Sequence, residues 1–211
     1  MSKPKILVFG SSHAKRLFDA MLRDDNIRDE FELYSNVKSG ATIQNFTVNY
    51  GLLESLSEDD FVIVNFLGND WLHKHIEFTY TPHKVIHLTK FEPKSFLEIA
   101  TQFVWLGEVL ERTRARVIIL DNPLRHIRCC NRHRYPGLIR FWRQKNHDMR
   151  IIYSNAGHTV LEHQSVLRLS RTERRQMSNY ATLFSDTVHF KPYVYCQIAR
   201  FMYRYINRLR V

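Results

Sequence analysis

Five short apolar runs rich in β-branched residues punctuate the chain: KILVF (5–9), FELYS (31–35), FVIVNF (61–66), ARVIIL (115–120) and RIIYS (150–154). Segments with helical character lie between and after them, near 13–24, 44–56, 95–114, 137–148, 171–182 and 192–209. Strands that alternate with helices imply a parallel sheet covered on both faces. The pattern therefore predicts a doubly wound α/β fold. At 211 residues the chain suits one well-filled core better than two, and no internal repeat, low-complexity tract or linker interrupts the order. A single domain over 1–211 is expected. Its least regular part, NPLRHIRCCNRHRYP (122–136), reads as an inserted basic loop, and the basic character continues to about residue 150.

In open α/β sheets ligands sit beyond the carboxyl ends of the strands, so the loops leaving strands are where chemistry is expected. Those loops read GSSH (10–13), NVKSG (36–40), LGND (67–70) and DNPLR (121–125), and SDTVH (185–189) lies shortly before the last helix. Ser11 or Ser12 could cap the first helix by accepting from its free amides; equally, one of them could be a nucleophile. A serine hydroxyl attacks only when a base removes its proton and a carboxylate holds that base in the right tautomer. Asp186 and His189, three residues apart, offer both. The oxyanion of acyl transfer needs preorganised donors. Gly40, whose amide no side chain would obstruct, and Asn69, whose side chain ends in an amide, stand in the second and third loops.

The order Ser12, Gly40, Asn69, Asp186 and His189 resembles that of the SGNH (GDSL-like) hydrolases, and the resemblance spans nearly the whole chain. It implies a three-layer α/β/α sandwich around a flavodoxin-like, five-stranded parallel sheet. It also implies that Ser12 is the nucleophile, His189 the base and then the acid, and Asp186 the residue that orients it, with the amides of Ser12 and Gly40 and the side chain of Asn69 forming the oxyanion hole. Two blocks depart from the family pattern. Gly10-Ser11-Ser12-His13 replaces Gly-Asp-Ser-Leu, and Leu67 stands where Gly-x-Asn-Asp begins with glycine. His13 is a candidate for the pocket rim or for a helix cap. Trp71 either packs on the sheet or faces substrate, and Asp70 is a further pocket candidate that would support the loop by hydrogen bonds. The expected activity is that of an esterase or acetylesterase on a small ester or acetylated substrate, without cofactor.

Charge adds a second function class. Residues 1–100 carry a net −3 and residues 101–211 a net +13. Such an excess concentrates anions at a surface. Arg125, Arg128, Arg132, Arg134, Arg140, Arg143 and Lys145 line the insertion and its helix, while Arg200, Arg204 and Arg208 recur at helical spacing in the last one. The alternative expectation is therefore a catalytically idle domain of the same fold that binds RNA or another polyanion through its basic half. His126, Cys129, Cys130 and His133 cluster in HIRCCNRH, but adjacent cysteines chelate zinc awkwardly and the spacing fits no zinc finger, so no metal is expected. Three cysteines make a poor disulfide framework, and neither a membrane-length apolar stretch nor an apolar leader follows MSKPK. These features suit an intracellular, cytoplasmic protein.

Overall fold

The computed structural model describes residues 3–81, 84–123, 137–167, 183–185 and 188–210, and the side chains of 74–91 lie outside that description. Five strands form one parallel sheet: β1 (Lys5–Gly10), β2 (Glu32–Val37), β3 (Phe61–Asn65), β6 (Arg116–Leu120) and β7 (Thr159–Leu161), in the order β2-β1-β3-β6-β7. Ile6, Leu7, Val8 and Phe9 of β1, and Phe61 to Val64 of β3, are all fully buried. Strands in the middle of a parallel sheet are covered on both faces, which is why these two read as unbroken apolar runs.

The helices follow from the crossovers. The chain moves one way across the sheet from β1 to β2, through α1 (Ser12–Met21) and α2 (Asp25–Glu30), and the other way from β2 to β3, β6 and β7. Right-handed connections therefore place α1 on one face, and α4 (Phe96–Leu110) and α5 (Leu138–Asn155) on the other. The last helix, α7 (Pro192–Leu209), packs along α1, burying Val194, Tyr195, Ile198, Ala199, Met202 and Ile206. Across the sheet, Phe9 stacks edge-on against Phe66, which in turn packs on Trp105 of α4. A capping box starts α4: Ser95 Oγ accepts from the Glu98 amide, and the Glu98 carboxylate accepts from the Ser95 amide. The short helices α3 (Tyr50–Glu54) and α6 (His163–Val166) complete the described helices.

One expectation is corrected. RIIYS is not the fifth strand; it is the end of α5, and the fifth strand is the three-residue β7. Met149 and Tyr153 extend the buried stripe of Leu138, Trp142 and Lys145, and the Tyr153 hydroxyl donates to the Phe103 carbonyl at 2.9 Å, while Ile151 and Ile152 face outward. Helical burial outweighs β-branching there. The stretch after LGND, to which the apolar pattern assigns neither strand nor helix, is an antiparallel hairpin of β4 (Leu72–Thr81) and β5 (Lys84–Pro93), separate from the main sheet. The predicted helix at 171–182 lies outside the described residues.

One position fixes how the strand ends meet. Gly10 has φ +138°, and a Cβ there would lie 2.0 Å from the Asn65 carbonyl oxygen. Gly10→Ala would both strain the backbone and push β1 off β3, so a loss of about 3 kcal/mol or more is expected. Equilibrium urea unfolding measures it; a loss below about 1 kcal/mol would contradict the contact.

Candidate active site

The site is built on the closeness of β1 and β3. The Ser11 amide donates to the Asn65 carbonyl at 3.0 Å, and the Lys38 amide donates to the Gly10 carbonyl at 3.0 Å. The ends of β1, β2 and β3 are thus tied together at one rim. Ser11 occupies the N-cap of α1, but its side chain makes no capping bond, so the capping reading holds for position only. Ser12 is then the first helical residue, half-buried, at the end of the helix where the backbone dipole is positive.

His189 reaches this point from the far end of the chain. Its Nε2 lies 2.9 Å from Ser12 Oγ, across 177 residues of sequence. A small loop holds it: the Lys191 amide donates to the Leu183 carbonyl at 2.7 Å, the Ser185 amide donates to the His189 carbonyl at 2.9 Å, and Phe184 bridges Phe190. Phe190 is the anchor, fully buried and packed against Phe184, His13, His163 and Tyr195. Asp186 lies outside the described residues.

The second and third loops meet as well. Gly40 sits at φ +69° in a turn closed by the Ala41 amide donating to the Lys38 carbonyl at 3.1 Å. Asn69 Nδ2 donates to the Ala41 carbonyl at 3.2 Å, joining the two loops. Leu67, which replaces the glycine of the family block, has φ +72°. The glycine-type turn is kept with a leucine in it, at a backbone cost of about 1–2 kcal/mol, and that leucine is buried. Its carbonyl accepts from the Asp70 amide at 2.8 Å.

Asp70 and Trp71 were candidates for the pocket, yet both are fully buried beneath the loop. Asp70 Oδ1 accepts from the Ile43 amide at 2.9 Å, a third tie between the loops. Trp71 packs edge-on against Trp142 and Phe103 in the core. They support the rim rather than line it. His13 is also buried, its ring 5.3 Å from that of His189 and its Nδ1 2.8 Å from the Tyr195 hydroxyl.

Several polar residues of the rim carry no motif. Asn65 Nδ2 donates to the carbonyls of Leu120 and Asp121, fastening β6 to β3. Asp121 Oδ1 accepts from the His163 amide at 2.7 Å and lies 2.6 Å from its ring Nδ1, a largely buried pair whose imidazole packs on Phe190. Only Asp121, directly after the fourth predicted strand, gave a hint of its place.

The basic residues divide. Arg125, Arg128, Arg132 and Arg134, like His126, Cys129, Cys130 and His133, lie outside the described residues. Arg140 and Arg143 are exposed on α5, but Lys145 is buried and paired with Asp148, so it is not a surface cation. Arg200, Arg204 and Arg208 are exposed on α7, with Arg200 3.6 Å from Asp24. Because α5 and α7 belong to opposite layers, these two sets do not form one continuous basic surface. Among the described residues no group of three or more His, Cys, Asp and Glu could hold a metal ion, and no helix is long and apolar enough to cross a membrane.

No family model and no curated protein matches the chain. Solved structures do. A lipolytic G-D-S-L family member from Veillonella parvula matches with a TM-score of 0.60 at 15% identity, covering 97% of this chain and 98% of that one. A GDSL-like lipase from Bacteroides thetaiotaomicron gives 0.61 at 11%, covering 99% and 93%. The acetyl xylan esterase Axe2 from Geobacillus stearothermophilus, solved as a variant, gives 0.60 at 14%, covering 97% and 95%. The protein therefore has the SGNH-hydrolase fold.

Burial pushes the Asp70 carboxyl up to about 6, against the opposing pull of the Ile43 amide and the charge of Lys94. The native state then holds a proton that the unfolded chain has released, so this contribution to stability is present below about pH 4 and lost as pH rises through about 6. Asp70→Asn, which cannot ionise, is expected to gain about 2 kcal/mol on wild type between pH 4 and pH 7. Urea unfolding of both proteins at the two pH values tests this. A difference that does not change with pH would refute it.

Proposed function

We propose that this protein is a serine ester hydrolase acting on a small ester or acetylated substrate. The observation that carries the reading is the 2.9 Å approach of His189 Nε2 to Ser12 Oγ, within the reach a general base needs. Its location, at the carboxyl rim of a sheet shared with lipases and an acetyl xylan esterase, supports it.

In this mechanism Ser12 Oγ attacks the ester carbonyl carbon while its proton passes to His189 Nε2. The carbon–oxygen bond to the leaving alcohol breaks, and the imidazolium returns the proton to that alcohol. Water then attacks the acyl-serine, with His189 again taking and returning a proton, and the carboxylate and free serine are released. Asp186 orients the imidazole and stabilises its charged form. The oxyanion is held by the amides of Ser12 and Gly40 and by Asn69, whose loops are drawn together by the Asn69–Ala41 and Asp70–Ile43 hydrogen bonds. The amide of Ser12 also lies at the positive end of α1, where developing negative charge is favoured.

A second reading, binding of RNA or another polyanion, has in its favour the exposed row Arg200, Arg204 and Arg208. It is compatible with hydrolysis, and affinity that is insensitive to salt would dismiss it.

Hydrolysis of p-nitrophenyl acetate tests the main reading. Ser12→Ala is expected to lower turnover about 10⁴-fold or more, and Asn69→Ala about 10²- to 10³-fold. Activity that survives in Ser12→Ala would overturn the mechanism.

A further inference from the structure

Ser12 and His189 come from opposite ends of the chain, and proton transfer between them needs a separation held to a few tenths of an ångström. The residue that follows each of them meets the same side chain. Tyr195, in the first turn of α7, is buried, and its hydroxyl lies 2.8 Å from His13 Nδ1. The same hydroxyl accepts from the Phe190 amide at 3.3 Å. One phenol oxygen therefore touches the side chain next to the serine and the backbone next to the histidine. The bonds Ser12–His13 and His189–Phe190 close this into a ring whose last link is the 2.9 Å contact itself.

We propose that the His13–Tyr195 hydrogen bond is a strut that sets the separation of Ser12 and His189. A tyrosine suits the task because its ring is rigid and is packed on Phe190, with centroids 5.8 Å apart, and on His13, at 6.0 Å. The position of its oxygen is thus fixed by α7 rather than by the loop that carries His189. The histidine in place of the family's leucine then has a reason: a leucine could fill the space but could not bond the phenol. His13 and Tyr195 are positioning residues and transfer no proton in the reaction. The kinetic part of this inference rests on the hydrolase reading, whereas the geometric part does not.

The experiment has two arms on the full chain. In ¹⁵N spectra of the imidazole groups, Ser12→Ala is expected to shift the His189 Nε2 resonance, because it removes the hydroxyl partner. In a Tyr195→Phe or His13→Leu background that shift is expected to vanish. His13→Asn, which places an amide near the lost Nδ1, is expected to keep it. In the kinetic arm, Tyr195→Phe is expected to lower kcat about 10- to 100-fold with KM unchanged within twofold, as a misplacement of about 1 Å would. His13→Asn should retain more activity than His13→Leu, a ranking that packing alone would not produce. The double variant Tyr195→Phe/His13→Leu should be no slower than the slower single one. A folded Tyr195→Phe that keeps the Ser12-dependent shift, or that keeps wild-type kcat, overturns the strut and leaves the hydrolase reading standing. If wild type shows the shift, Tyr195→Phe removes it and neither protein hydrolyses ester, the strut stands and the hydrolase reading falls.

Discussion

The close approach of Gly10 to the Asn65 carbonyl is the constraint on which the site depends. It lets β1 and β3 stay paired to their last residues, and it delivers the Ser11 amide to that same carbonyl as the chain turns into α1. Without it Ser12 would not stand at the first position of a helix pointing over the sheet. Asn65 extends the arrangement sideways through its side chain, which donates to two carbonyls at the end of β6 while its buried Oδ1 finds no hydrogen-bond partner among the described residues. An unpaired buried acceptor costs free energy. Its presence here shows that the orientation of Asn65 is dictated by the two bonds that knit the rim.

The pairing of Ser12 with His189 was legible because each sits in a local pattern with a chemical meaning. A strand ending in Gly-Ser-Ser places a hydroxyl at a helix start, and Asp-x-x-His near the C-terminus is a spacing that marks a candidate imidazole. The strut was not legible. Tyr195 lies on the apolar face of a helix, where a tyrosine reads as core, and only the fold shows that its hydroxyl faces a histidine 182 residues away. Asp121 and His163 were hidden for the same reason, since a pair separated by 42 positions leaves no spacing to read.

The misread elements are instructive in a different way. In RIIYS, β-branching and helical burial pointed in opposite directions, and the stripe from Leu138 to Tyr153 decided the outcome. The first strand of the hairpin was visible in principle, because HIEFTYT alternates polar and apolar positions, yet among the described residues its two strands form a sheet of their own and so break the strand–helix rhythm by which the rest was read. The charge asymmetry was real in the sequence, but the crossovers distribute it. Among the described residues, the basic helices α5 and α7 end on opposite layers, so their cations do not share one face.

Leu67 has a bearing on how firmly the Asn69 loop is held. Local opening would release the left-handed dihedral, worth about 1–2 kcal/mol, but would also wet a leucine whose burial is worth about 1.5–3 kcal/mol. Those opposing contributions nearly cancel. The leucine thus offsets the dihedral it imposes, and what keeps the loop closed over the rim is the pair of hydrogen bonds Asn69–Ala41 and Asp70–Ile43 together with the buried Trp71 beneath.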